Sequence, residues 1–247
     1  MRKILLTILV ALPTYAGVCS NTSVGNGWTC VQSTNCGPTT GLSLTCQFPS
    51  NSTANSLFIV AVRQSIAAAP TLACSDDHNT GYANFTASTE MDPANSEATG
   101  ACWVLNTSSG VKPTVTANLG VSGSIRMAIF EFTGNATSNI FDVGNEGSAD
   151  TNAPDSGALA MSATNELIFA ANGNSTGGAT PSAGTNFILL EAMNTSKLIT
   201  EAQGVATKQT IHGTFSLGAS DNGSTVGGAF HSPAAGGVVR HRGWVIQ

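Results

Sequence analysis

Charged residues are scarce in this chain of 247 residues. Asp, Glu, Lys and Arg make up 9% of it, against about a quarter in an average globular protein. Nine basic and 14 acidic residues give a net charge of −5. The basic residues are scattered, so we expect no patch for nucleic-acid phosphates or an anionic membrane surface. The chain is instead rich in Ser, Thr, Asn and Gly, which predicts a neutral surface with many hydroxyl and amide groups.

Long hydrophobic runs are scarce as well. The run Ile4–Leu12 follows Arg2 and Lys3 and leads into the small-residue exit Thr14–Ala16. It is too short to span a bilayer, and its order of basic, apolar and small residues is typical of a secretory signal peptide over residues 1–16. We therefore expect a secreted, extracellular or cell-surface protein without a membrane span.

The cysteines lack the paired Cys-x-x-Cys spacing of a zinc site. All six lie between residues 19 and 102, and an even number in an exported chain predicts three disulfides among 15 possible pairings. The segment Asn35–Pro38 has the composition of a hairpin turn, which favours a bridge across it. The pairs that we expect are Cys74 with Cys102, Cys30 with Cys46, and Cys19 with Cys36.

No segment shows the apolar spacing of an amphipathic helix. Short apolar runs separated by Gly, Asn, Asp, Ser and Pro predict strands and turns along the chain. Thr114–Val121 and Gln209–Leu217 alternate between apolar and polar residues, which indicates strands with one solvent-exposed face. In the first of them, the apolar face consists of Val115, Ala117, Leu119 and Val121.

Other segments are apolar at consecutive positions and should be central strands. These are Ser56–Val62 and Ile125–Phe132. Leu167–Ala171 and Phe187–Leu190 should complete the core, and we expect a final strand at Val238–Ile246. Many short strands without helices predict an all-β, antiparallel β-sandwich of jelly-roll type, stabilised by disulfides. No linker divides the chain, so we expect one domain over residues 17–247, with a cysteine-rich part at 17–47.

The order of several segments resembles a group of secreted bacterial β-sandwich domains that have no assigned activity. The resemblance runs from Trp28 to the C-terminus and implies a sandwich fold in an extracellular setting. The resemblance implies no catalytic residue in this chain. The matching segments are Asn55–Val62, Ser75–Tyr82, Trp103, Ala128–Gly134, Asn165–Phe169 and Ala179–Pro181.

Two aromatic residues, Tyr82 and Trp103, are the candidates for ligand binding. If their rings face outward, they could stack on sugar rings, as in lectin-like domains. The alternative is that they pack inside, since Trp103 adjoins Cys102 and would lie against a disulfide.

The segment Asp76–Asn79 could supply oxygen ligands for calcium from Asp76, Asp77 and Asn79. Asp and Asn are also the usual residues of a tight turn, where their side chains bond the local backbone. We expect the turn, and no metal or cofactor.

Two patterns bear on catalysis. Gly173–Gly177 fits the Gly-x-Ser-x-Gly motif of hydrolases, but the residues after it cannot begin the helix that exposes such a serine. Glu131, Glu166 and Glu191 lie on expected strands, either facing inward or at strand ends, and a pair of carboxylates in space would suit a polysaccharide hydrolase. A secreted hydrolase is therefore the third hypothesis.

The first hypothesis for function is a non-enzymatic surface, matrix, filament or adhesive protein, and the second is a carbohydrate-binding module. The partners that we expect are further copies of the chain or a cell-surface glycan. Few lysines guard the sheet edges, which leaves strand addition between copies open. Two alternatives follow: a monomer whose edges lie under Gly- and Asn-rich loops, or ordered association through an edge strand or a donated terminal segment, for which Gly17–Ser33 is the candidate.

Overall fold

A computed structural model describes residues 16–87, 89–178, 180–193 and 197–233. This part of the chain contains 16 β-strands and no α-helix, and no helix in it is long and apolar enough to cross a membrane. The expected signal peptide, apart from Ala16, and the expected final strand Val238–Ile246 lie outside the described residues.

The first half of the chain builds an eight-stranded front sheet. Its central order is β1-β2-β8-β3-β7-β5, while β4 pairs with β8 and β6 with β7, and all pairs are antiparallel. The strands are β1 (Ala16–Gly25), β2 (Trp28–Gln47), β3 (Leu57–Ser65), β4 (Ala73–Asp76), β5 (Ala83–Asn84), β6 (Glu90–Met91), β7 (Glu97–Leu105) and β8 (Thr114–Thr133).

The second half builds two antiparallel sheets. A five-stranded back sheet has the order β13-β14-β11-β16-β9, and a three-stranded outer sheet has the order β10-β15-β12. The strands are β9 (Phe141–Thr151), β10 (Asp155–Ala160), β11 (Glu166–Asn174), β12 (Pro181–Ala183), β13 (Ile188–Met193), β14 (Leu198–Val205), β15 (Thr210–Leu217) and β16 (Asp221–Phe230).

The main core lies between the front and back sheets. Side chains alternate across a strand, so Leu57, Ile59 and Ala61 of β3 face this core. Phe169 of β11 and Phe230 of β16 meet them from the back sheet. This antiparallel packing confirms the all-β sandwich. Each half of the chain stays in its own sheets, and the jelly-roll type stays a prediction.

The front sheet has a second core on its outer face, where Phe58, Val60 and Val62 of β3 are buried. A flap covers it, formed by the end of β2 paired with the start of β8, and by β4. The flap turns back where β8 is irregular between Asn118 and Gly123. Val121 lies in this turn and is 40% exposed, so its predicted place on the apolar face was wrong.

The outer sheet covers the back sheet in the same way. Ile168 and Ala170 of β11 face outward, where they pack on residues of β10 and β15 such as Leu159 and Phe215. Four layers result: the flap, the front sheet, the back sheet and the outer sheet. The central strands are therefore buried on both faces, as their unbroken apolar runs predicted.

The structure joins Cys74 to Cys102, the first expected pair. The expected pairs Cys30–Cys46 and Cys19–Cys36 were wrong, because no hairpin turn forms at residues 35–38. Strand β2 runs through that segment, and the turn lies between β1 and β2, which brings Cys19 to Cys30. Cys36 instead meets Cys46, because β2 bends back into the flap.

Two of the three disulfides hold the flap to the front sheet. Cys36 is paired with Met127 in the front sheet, whereas its disulfide partner Cys46 is paired with Val115 in the flap. Cys74 on β4 likewise reaches Cys102 on β7. The flap is thus attached both by its apolar face and covalently.

Replacing Cys74 and Cys102 together by Ala should lower the free energy of unfolding by roughly 3 to 4 kcal/mol, because the unfolded chain regains the freedom of a loop of 28 residues. Urea unfolding measures the loss, and hydrogen exchange should show faster exchange in the flap. The matched control replaces Cys19 and Cys30, which lie outside the flap. Unchanged exchange in the flap of the first variant would contradict the prediction.

Candidate functional site

An open cleft lies where β7 of the front sheet meets the start of β9 in the back sheet. Trp103 and Phe141 stack there, with ring centroids 5.6 Å apart and planes at 13°. The cleft has a volume of about 420 Å³, and Thr80, Thr107 and Asn139 supply hydroxyl and amide groups at its wall. It combines an aromatic face with uncharged polar groups.

The aromatic pair is held from behind. Phe141 contacts Phe230 edge-on at 5.3 Å, and Phe85 lies 5.8 Å from Phe141. Trp103 is half-buried, and its indole Nε1 has no hydrogen-bond partner among the described residues. The rings therefore have fixed positions. The sequence pointed to Trp103 but not to Phe141, because a contact between sheets leaves no spacing signal.

Tyr82, the second expected ligand-binding residue, is used for packing. Its hydroxyl donates to Oδ2 of Asp76 at 2.7 Å, and its ring packs against the outer core of the front sheet. Burial, together with the hydrogen bond to Asp76, raises the pKa of Tyr82 far above its usual range. The ring of Tyr82 therefore packs against the fold, and its stacking on a sugar stays a prediction.

The carboxylate oxygens considered as calcium ligands accept hydrogen bonds within the fold. Asp76 Oδ1 accepts hydrogen bonds from the backbone N–H groups of His78 (2.6 Å) and Asn79 (2.5 Å), and Oδ2 accepts from the Asn79 side chain. Asp77 accepts from the N–H of Thr114 at 2.9 Å. These carboxylates bond donors of their own fold, which is turn chemistry.

A buried polar cluster closes one end of the main core. Arg63 on β3 donates to Glu97 on β7 and, across the sheets, to the carbonyl of Asn174 on β11 at 3.0 Å. Arg63 and Glu97 are 1% and 0% exposed. Burial raises the pKa of Glu97, and the Arg63 guanidinium opposes that rise. The pair links the two sheets by polar contacts.

The glutamates on strands also serve the fold. Glu131 accepts from the N–H of Thr53 at 2.7 Å, and Glu191 accepts from Asn35 of the opposite sheet at 2.8 Å. Glu201 accepts from the N–H groups of Gly184 and Thr214 at 2.7 and 2.9 Å. Inward carboxylates thus bond to loops and neighbouring layers.

Glu166 belongs to a further group, which sequence reasoning missed. Together with Asp142 and His231 it forms a cluster whose ligand-type atoms lie within 4.8 Å of one another. Burial raises the pKa of Glu166, and nearby Asp142 raises it further. Burial acts the same way on Asp142, but hydrogen bonds from Ser162 and Glu166, together with nearby His231, outweigh it and lower the pKa of Asp142. The histidines show no metal-type spacing in the sequence, so no signal pointed here.

Glu201 should make stability depend on pH. Burial raises its pKa from 4.5 to about 8, so the folded chain holds a proton that the unfolded chain has already lost. The free energy of unfolding should therefore fall as pH rises from 4.5 to 8, by at most about 1.4 kcal/mol per pH unit. Urea unfolding across this range should show a shallower fall for Glu201→Gln, and the exposed Asp150→Asn is the control. An unchanged slope in Glu201→Gln would contradict this assignment.

Comparison with protein-family models, with curated proteins and with solved structures found no match. The resemblance to secreted bacterial β-sandwich domains therefore stays a prediction.

Proposed function

We propose that the protein works by contact outside the cell, as a surface, matrix, filament or adhesive component. The observation that carries this proposal is the construction of the body, in which three disulfides and polar bonds between layers fix four layers of sheet. Disulfides suit an oxidising compartment. A surface with few charges also supports the proposal, because contacts made by hydroxyl and amide groups depend little on salt.

The exposed edge of the front sheet supports contact between copies. Strand β1 ends this sheet and pairs only with β2 among the described strands. Its ten residues carry no charge, whereas natural edge strands are commonly guarded by lysine. At the other edge, β5 and β6 have two residues each, and such short strands offer little to a partner.

The donated segment that we expected needs correction. Gly17–Ser33 is paired within its own chain as the β1–β2 hairpin, and the Cys19–Cys30 disulfide closes that hairpin. Donation would require the loss of this pairing. Association through β1 would instead add one edge to another, with each hairpin kept intact.

Light scattering of the secreted chain tests this association. We expect the mean mass to rise between micromolar and near-millimolar concentration. Ser20→Lys places a charge on an exposed position of β1 and should shift the rise to higher concentration. Ser216→Lys, exposed on the outer sheet, is the matched control. A constant monomer mass over this concentration range would contradict the proposed association through β1.

The aromatic cleft favours a second function, carbohydrate binding. Trp103 and Phe141 present a rigid apolar face beside hydroxyl and amide groups, and such sites combine apolar surface with a few polar groups that fix orientation. A glycan bound here would also give an adhesive protein its target.

A glycan array and polysaccharide pull-down test the cleft. Trp103→Ala should weaken selective binding at least tenfold, or about 1.4 kcal/mol, since it removes half of the stacked pair. Leu42→Ala is the control, because it removes an exposed apolar side chain that does not line the cleft. If the unaltered protein binds no glycan, or if Trp103→Ala binds equally well, this second function is wrong.

A further inference from the structure

We propose that Asp142, Glu166 and His231 bind one divalent transition-metal ion, with zinc as its test ion. The site lies at one end of the back sheet, next to the aromatic cleft: Asp142 follows the cleft residue Phe141, and the N–H of His231 donates to the carbonyl of the cleft residue Ile140 at 2.7 Å. The proposed role of the ion is to link strands β9, β11 and β16 at that end.

The topology explains why these residues meet. Strands β11, β16 and β9 are neighbours in the back sheet, in that order. Leu167 of β11 and Phe141 of β9 are both paired with Phe230 of β16. Glu166 comes directly before Leu167. Asp142 directly follows Phe141, and His231 directly follows Phe230. Each strand therefore brings one ligand-type side chain to the same edge.

A β-bulge places the carboxylate of Asp142. The pairing of β16 with β9 shifts between Ala229 and Phe230, so that Asp142 is the extra residue between Phe141 and Val143. Bulges redirect a side chain that would otherwise follow the alternation of the strand. Here the shift lets Asp142 share a site with Glu166 and His231.

The loop before β11 orients both carboxylates. The N–H of Ser162 donates to Asp142 Oδ2 at 2.5 Å, and the N–H of Ala163 donates to Glu166 Oε1 at 2.8 Å. Each carboxylate therefore keeps a second oxygen for another partner. Hydrogen bonds of this kind commonly orient metal ligands.

Two buried atoms in the cluster lack a hydrogen-bond partner from outside it among the described residues: Oε2 of Glu166 and Nδ1 of His231. Within the cluster, Glu166 and Asp142 share a hydrogen bond when Glu166 is protonated. The Glu166 side chain is 0% exposed. An unpaired buried polar atom is costly, so two of them in one cluster point to a ligand that both would share.

The distances suit a shared ion. His231 Nδ1 lies 3.0 Å from Glu166 Oε1 without the alignment of a hydrogen bond, and one ligand-type atom from each of the three residues lies within 4.8 Å of the other two. Two ligand atoms that are each about 2.0 to 2.2 Å from one zinc ion lie roughly 3 to 3.5 Å apart. Small side-chain rotations would complete the geometry.

The donor set selects the class of metal. One imidazole with two carboxylates suits zinc and related transition metals, whereas calcium takes oxygen ligands alone. His231 is 21% exposed and Asp142 10%, so the ion can enter from solvent and retain a water ligand.

The test uses the disulfide-intact secreted chain, stripped with EDTA and then titrated with ZnCl2. We expect one zinc per chain by calorimetry and by elemental analysis after dialysis. At free zinc about 100 times Kd, Tm should rise by roughly 5 to 10 °C. Co²⁺ in place of zinc should show visible absorption bands from bound ligands.

Asp142→Asn tests the ligand set, because the amide keeps an acceptor for the N–H of Ser162 but is a poor metal ligand. It should weaken zinc binding at least tenfold while circular dichroism stays unchanged, and His231→Gln should act likewise. The matched control is His212→Ala, which breaks the exposed pair of His212 with Asp155 at 2.8 Å. No bound zinc, full binding by Asp142→Asn, or loss of binding in His212→Ala would overturn the proposal.

Discussion

Both main sheets carry apolar side chains on both faces, so neither face of either sheet can be left in water. This constraint determines the architecture. The front and back sheets cover each other's inner faces, and each needs a further layer outside. The flap supplies it at the front and the outer sheet at the back. Glycine permits the tight contacts between layers: a Cβ on Gly213 of β15 would lie 2.3 Å from Ala170 of the back sheet.

Burial on both faces also explains why so many of the few carboxylates lie inside. Each layer ends in loops whose N–H groups are removed from water, and a buried donor without a partner is costly. Glu131, Glu191 and Glu201 each accept from such a group or from an amide of another layer. Glu191 and Glu201 therefore fix layers relative to one another, and burial raises the pKa of both, whereas Glu131 bonds a loop of its own sheet.

Local patterns predicted the local structure. Alternation identified the exposed and buried sides of β15 and of the start of β8, and unbroken apolar runs identified β3 and the end of β8 as central in their sheet. Long-range geometry was harder. The bend of β2 that joins Cys36 to Cys46, and the bulge that turns Asp142 toward His231, depend on register between distant strands. Neither leaves a spacing in the sequence, so two disulfides and the carboxylate–histidine cluster were missed.

The same construction connects stability with the proposed contact role. A protein that relies on surface ion pairs loses part of its stability as salt screens them. Here the polar links lie within the body, as in the bonds of Arg63 and Glu201, and disulfides attach the flap. The surface is then free to consist of hydroxyl and amide groups, with the Trp103 cleft and the β1 edge as its distinct features. A rigid body with an uncharged surface can keep such contacts while external salt changes, which an extracellular component requires.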